Sequence, residues 1–198
     1  MVKKKYSIKE IFYSLQGEGA NAGKAAIFCR FSGCNLWSGI EKDRKNAICQ
    51  FCDTDFVGTD GEGGGKFSSA SQLVKMLASF WPSTDEGLKF VIFTGGEPAL
   101  QLDRELIKEC KNSGFIVAVE TNGTLDLPEG IDWVCVSPKM GSELKIKKGN
   151  ELKVVYPQIG LNLESLQELE FDNFFLQAKE EKGIERNIKD TIQTCLDN

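Results

Sequence analysis

The chain has 198 residues, 41% hydrophobic and 27% charged, with a net charge of −5 and no histidine. That length and balance suit one domain with a real hydrophobic core, and the acidic surplus argues against a nucleic-acid backbone as the main partner. No apolar run follows the lysines of "MVKKKYSIKE", so the start does not read as a signal peptide, and no stretch approaches the roughly 20 apolar residues of a membrane span.

A cytoplasmic location follows as the expectation, with thiols kept reduced. The seven cysteines then suggest a metal before they suggest disulfides.

In chain order, short apolar runs predict strands at residues 25–31 ("AAIFCRF"), 89–94 ("KFVIFT"), 115–120 ("FIVAVE"), 133–137 ("WVCVS"), 151–156 ("ELKVVY") and 173–177 ("NFFLQ"). Most are continuous rather than alternating, as expected for strands covered on both faces of a parallel sheet. Between the first two strands, "SSASQLVKMLASFW" sets Leu73, Val74, Leu77, Phe80 and Trp81 on one helical stripe behind serine caps. "DRELIKECKNSG" does the same with Leu106, Ile107 and Cys110, and Gly114 ends it. Further helices are expected at 163–169 and 184–196. The links after residues 120 and 137 are too short for full helices. Polar punctuation falls after each strand: a cysteine loop, then "GGEP", "TNG", "PK" and "AKE". In parallel βα sheets these C-terminal ends open on one face, where the chemistry sits. The expected fold is α/β, a partial and open TIM-like (β/α) barrel of about six parallel strands with few helices. No repeat or linker divides residues 1–198.

The cysteine loop offers Cys34, Cys49 and Cys52, separated by fourteen and two residues. Structural zinc takes four Cys or His ligands, and this chain has no histidine to complete a set. Cys29 sits within "IFCRF", where a thiol usually serves as a small hydrophobe. Cys110, Cys135 and Cys195 are expected to fill the core. A [4Fe–4S] cluster normally takes four thiolates, and three would leave one iron open to a ligand's amine and carboxylate. Arg30 interrupts an apolar strand and must be paired if buried, either in a strand-end salt bridge or in a bidentate grip on a substrate carboxylate. The run "GTDGEGGGKF" fails as a phosphate loop, because Asp60 and Phe67 stand where Gly and Ser or Thr are required. It is expected to be a flexible loop.

The segments "YSLQGEG", "IFCRFSGCNLW", "FCDTDFVGTDG", "TGGEPALQ", "ETNGT", "VSPK" and "FFLQ" resemble the radical S-adenosylmethionine (SAM) enzymes and, within them, the 7-carboxy-7-deazaguanine synthase family. The resemblance covers nearly the whole chain, including the long first cysteine interval of one branch. It implies a radical SAM core with cluster ligands Cys34, Cys49 and Cys52, and Mg²⁺ at Thr54, helped by substrate oxygens. It implies SAM contacts at Phe51, Cys52, Asp53, Gly96, Ser137, Pro138, Lys139, Gln177, Ala178, Lys179 and Glu180. Glu97 is expected to help hold the SAM amino group. Substrate contacts are implied at Leu15, Gln16, Gly17, Arg30 and Thr94, with Glu18 a further candidate, and no catalytic side chain is assigned. The charged insertion "SGIEKDRKNA" is expected at the surface.

By the same resemblance the substrate is 6-carboxy-5,6,7,8-tetrahydropterin. A one-electron reductant such as flavodoxin would drive cleavage of SAM, and the 5′-deoxyadenosyl radical would take hydrogen from C6. Ring contraction and loss of ammonia would then give 7-carboxy-7-deazaguanine, for queuosine and related 7-deazapurines. A homodimer is implied. Two departures stand out. "AKEEKG" follows "FFLQ" where the family has Pro and then an acid, and the family's histidine-bearing tail is absent, which implies weakened substrate binding. The alternatives are another small radical SAM enzyme, such as an activating enzyme, or a zinc-stabilised binding module without catalysis.

Overall fold

The computed structural model describes residues 6–82 and 87–197. Residues 1–5, whose lysines entered the signal-peptide argument, lie outside them. The elements are β1 (Tyr6–Leu15), β2 (Ala25–Phe31), β3 (Gly65–Phe67), α1 (Ala70–Phe80), β4 (Lys89–Gly95), α2 (Arg104–Asn112), β5 (Phe115–Thr121), β6 (Trp133–Val136), β7 (Lys148–Tyr156), α3 (Leu163–Gln167), β8 (Glu170–Ala178) and α4 (Ile184–Asp197). They build one eight-stranded sheet in the order β3-β1-β2-β4-β5-β6-β7-β8. The six predicted strands are all present and pair in parallel from β2 to β8. The sheet curls without closing, giving an open, partial (β/α) barrel.

Two antiparallel strands extend the β2 edge, and neither was predicted. β1 pairs with β2 through a bulge between Ile8 and Glu10. The extra residue breaks the alternation, so Ile8 and Ile11 both reach the core although three apart. β3 lies inside the glycine run and pairs with β1. That run is therefore built into the sheet edge rather than flexible. A Cβ on Gly64 would stand 2.3 Å from the Lys9 carbonyl oxygen.

Strand alternation divides the sheet into two faces. On the outer face Ile27, Cys29, Val91, Phe93, Val117 and Val119 pack under α1 and α2, which contribute Leu73, Leu77, Leu106 and Ile107. Both helices start on capping side chains: Ser69 accepts from the Gln72 N–H at 3.3 Å, and Asp103 from Leu106 at 3.0 Å. Gly114, at φ +82°, follows the end of α2 as expected. On the inner face Ala26, Phe90, Ile92 and Ala118 form an apolar floor, with Phe28, Ile116 and Trp133 against it. Going up the same rows, the next inward positions are Arg30, Thr94, Glu120, Cys135, Ser137, Lys153 and Gln177. The registers set Arg30 beside Thr94, Glu120 beside Cys135, and Gln177 beside Val155, the inward residue after Lys153. A polar rim at the C-terminal ends thus follows directly from the period of two.

Cys29 and Cys110 are buried in the core as expected, but Cys195 is exposed. α4 turns Asn187 and Thr191 inward. Asn187 Nδ2 donates to the Lys179 carbonyl at 2.8 Å, so this helix docks through polar groups and leaves Cys195 outside. No helix among the described residues is long and apolar enough to cross a membrane.

Candidate active site

A cavity of about 440 Å³ opens at the C-terminal ends of the strands. The cysteine loop forms one wall and the end of β8 another. Cys34, Cys49 and Cys52 all line it. Each sulfur is met by backbone N–H groups: Leu36 and Trp37 at Cys34, Phe51 at Cys49 and Thr54 at Cys52. Such donors favour thiolate over thiol and suit sulfur ligands of a cluster. The Cys49 thiol donates to Cys52, which draws the Cys52 pKa down and pushes Cys49 up; burial raises Cys34. Among the described residues no three Cys, Asp or Glu side chains converge tightly enough to hold a single metal ion. Cys34, Cys49 and Cys52, all free thiols on one cavity, make a donor set that fits a [4Fe–4S] cubane with one iron left to another ligand.

Cys135 also lines the cavity, but it sits among carboxylates: its Sγ lies 3.5 Å from Glu151 Oε1. Burial and the neighbouring acids Glu120 and Glu151 hold its thiol well above the ordinary value. The loop cysteines, by contrast, neighbour one another, Cys52 interacting with both Cys34 and Cys49.

The predicted SAM residues Phe51, Asp53, Gly96, Ser137, Lys139, Gln177, Ala178, Lys179 and Glu180 line the same cavity. Lys139 Nζ donates to Ser137 Oγ at 2.6 Å and lies 5.7 Å from the Phe51 ring centroid. Burial lowers its pKa, and the Cys49 and Cys52 sulfurs oppose that shift. Pro138 does not line the cavity; it is buried, and its carbonyl accepts from Gln158 Nε2 at 3.3 Å. Ala178, Lys179 and Glu180 reach the wall despite their departure from the family pattern. The Lys179 N–H donates to the Tyr156 carbonyl at 2.7 Å, which carries the sheet ladder one residue past β8.

The two glycines of "TGGEP" answer first to the chain itself rather than to a ligand. A Cβ on Gly96 would stand 2.0 Å from the Gly33 carbonyl oxygen, and one on Gly95 would stand 2.4 Å from that of Phe31. The turn is pressed against the start of the cysteine loop, where the Glu97 N–H donates to Gly33 at 2.9 Å. Glu97 is not placed to hold an amino group. It is fully buried, and its carboxylate accepts from Ala99 N at 2.9 Å, Thr121 Oγ1 at 2.7 Å and Asn122 N at 2.8 Å. It staples the turn after β4 to the turn after β5.

Of the predicted substrate residues, Gln16, Arg30 and Thr94 line the cavity, as does Glu18. Leu15 and Gly17 do not, since alternation along this segment turns them outward; Leu15 is 64% exposed. Arg30 Nε donates to Glu10 Oε1 at 2.7 Å across the β1–β2 pair, so the guanidinium has a fixed partner and still borders the cavity. Thr54 lines it too, with its hydroxyl 3.4 Å from Asp53 Oδ1.

A charged network missed from the sequence ties these residues together. Lys153 is buried, with Nζ 2.8 Å from Glu18 Oε2 and 3.1 Å from Glu120 Oε1. Glu120 also accepts from Gln16 Nε2 at 2.9 Å and Thr94 Oγ1 at 3.2 Å, and Glu18 accepts from Gln177 Nε2. Burial opposes the charge on Lys153, but Glu120, Cys135 and Glu18 outweigh it and raise its pKa. The signal was available: Lys153 interrupts "ELKVVY" as Arg30 interrupts "IFCRF".

Comparison with known proteins agrees with this geometry. The model of the radical SAM superfamily matches residues 46–196. A 7-carboxy-7-deazaguanine synthase of Burkholderia multivorans is 55% identical over 190 residues, covering 96% of this chain and 90% of that relative. One from Nitratidesulfovibrio vulgaris is 57% identical over 180 residues, covering 90% of this chain and 83% of the relative. A crystal structure of QueE from Escherichia coli shares the fold, with a TM-score of 0.67 at 23% identity, covering 97% of this chain and 90% of that one. The chain belongs to the radical SAM superfamily and, within it, to the 7-carboxy-7-deazaguanine synthase family.

Proposed function

We propose that the chain is a carbon–nitrogen lyase converting 6-carboxy-5,6,7,8-tetrahydropterin to 7-carboxy-7-deazaguanine, with loss of ammonia, in 7-deazapurine (queuosine) biosynthesis. The observation that carries this reading is one cavity walled by three loop cysteines on one side and by the Glu18–Lys153–Glu120 network on the other, in a chain of this family. Cys34, Cys49 and Cys52 would hold a [4Fe–4S] cluster, leaving one iron for SAM. When bound, cluster and SAM together supply a carbon radical that removes hydrogen from the substrate. The protein's share is placement and shielding.

Phe51, Asp53, Gly96, Ser137, Lys139 and residues 177–180 would hold SAM between the cysteine loop and β8. Gln16, Arg30 and Thr94 would orient the pterin, with the Arg30 guanidinium suited to its carboxylate. Thr54 would take Mg²⁺ together with substrate oxygens. Residues 1–198 would act as one radical SAM core in the cytoplasm, as a homodimer served by a flavodoxin-like reductant.

The test is anaerobic reconstitution, then incubation with SAM, dithionite, Mg²⁺ and the pterin. Mass spectrometry should find 7-carboxy-7-deazaguanine and ammonia. Cleavage of SAM without that product would assign the chain to other radical SAM chemistry instead.

A further inference from the structure

The insertion between Cys34 and Cys49 is more than a surface excursion. It forms a 3-10 turn, Glu41–Asn46, with no buried residue, yet Arg44 on this turn grips the third cysteine from behind. Arg44 Nη1 donates to the Cys52 carbonyl at 2.9 Å and to the Gln50 carbonyl at 3.1 Å. Its Nε donates to both carboxylate oxygens of Glu41, at 2.7 and 2.9 Å. The guanidinium carbon lies 4.0 Å from the Trp37 ring centroid, and Trp37 itself lines the cavity. Gln50 returns the grip, its Nε2 donating to the Lys45 and Ala47 carbonyls at 3.2 Å each. Three constraints therefore converge on one side chain: a stacking face, a carboxylate fork and two carbonyls of the Cys49–Cys52 turn.

We propose that Arg44 is a positioning residue for the cluster, fixing the Cys49–Cys52 turn so that both sulfurs are presented before iron arrives. The inference rests on the cysteine assignment above. The arrangement uses the planar fork of Arg: a lysine keeps the charge but cannot stack, chelate Glu41 and bond two carbonyls at once. Groups that orient metal ligands typically change metal affinity by about 10- to 100-fold when removed.

The test compares reconstituted wild type with Arg44→Lys, Arg44→Met and Glu41→Gln under an iron chelator, following cluster bleaching. Arg44→Lys and Arg44→Met should both lose iron about tenfold faster than wild type, and Glu41→Gln should lose it faster by a smaller factor. A destabilised control far from the loop, Val74→Ala in α1, should keep the wild-type rate even where its Tm falls as far as theirs; this separates positioning from general stability. Wild-type bleaching rates in Arg44→Lys or Arg44→Met would overturn the proposal. So would a Val74→Ala rate that follows its Tm loss in step with the Arg44 variants. If wild type itself took up no cluster, the cysteine assignment would fall and this inference with it, a result distinct from the variants failing alone.

Discussion

Replacing Glu97 with glutamine isolates one staple under the cavity. The wild-type carboxylate accepts three hydrogen bonds, from Ala99 N, Thr121 Oγ1 and Asn122 N, and is fully buried. Glutamine must present an NH₂ where one oxygen stood. If Oε1 is kept, the amide nitrogen faces the Asn122 N–H; if the amide flips, it faces Ala99. Either way one buried backbone donor loses its acceptor, which costs about 1–3 kcal/mol. For a chain of this size each kcal/mol moves Tm by about 2–4 °C, so a 2 kcal/mol loss lowers it by roughly 4–8 °C. The pH dependence has a definite sign. Burial holds the Glu97 pKa above its ordinary value of 4.5, against the pull of its three donors. The stability tied to this group is thus full below pH 4.5 and is lost as pH rises through the raised value. Glutamine does not titrate, so the gap between wild type and Glu97→Gln should be widest in acid and narrow toward neutrality. Thermal unfolding of the anaerobic apo-protein across pH measures both effects. A variant within about 1 °C of wild type at every pH would refute the staple, and a gap that widens toward neutrality would refute the raised pKa.

Other outcomes follow from the same contacts. Lys153→Met leaves Glu18 and Glu120 facing each other without their cation and should cost about 3 kcal/mol; adding Glu120→Gln should recover part of it, as denaturant titration of single and double variants would show. Gly96→Ala forces a Cβ to within 2.0 Å of the Gly33 oxygen and should cost about 2–4 kcal/mol by the same measurement. Leu73→Ala, in the α1 core, should cost about 2–5 kcal/mol while leaving cluster uptake intact. Alanine at Cys34, Cys49 or Cys52 should abolish stable cluster uptake, whereas Cys195→Ala should leave iron content unchanged.

The central strands were legible because "KFVIFT" and "FIVAVE" are buried on both faces, and continuous apolar runs have few other uses. β1 was not: its bulge at Lys9 breaks the alternation that marks a half-buried strand. β3 has three residues, one of them glycine, too little for periodicity to register. At the site, the cysteine spacing and the out-of-place Arg30 were readable as anomalies. Glu97 misled, because an acid at a turn looks the same in sequence whether it faces a ligand or its own backbone. Cys195 misled because α4 buries Asn187 and Thr191, against the usual ordering of apolar over polar. Glu10 acts through the β1–β2 pair, invisible while β1 was unread, and Arg44 acts within its own irregular loop, where no helical or strand period says which residues meet.

The most direct measurement is electron paramagnetic resonance of the anaerobically reconstituted, dithionite-reduced protein with and without SAM. Three protein thiolates and one open iron require a reduced [4Fe–4S] signal that changes when SAM is added. The account would be contradicted by the absence of a cubane signal, or by one that SAM leaves unaltered.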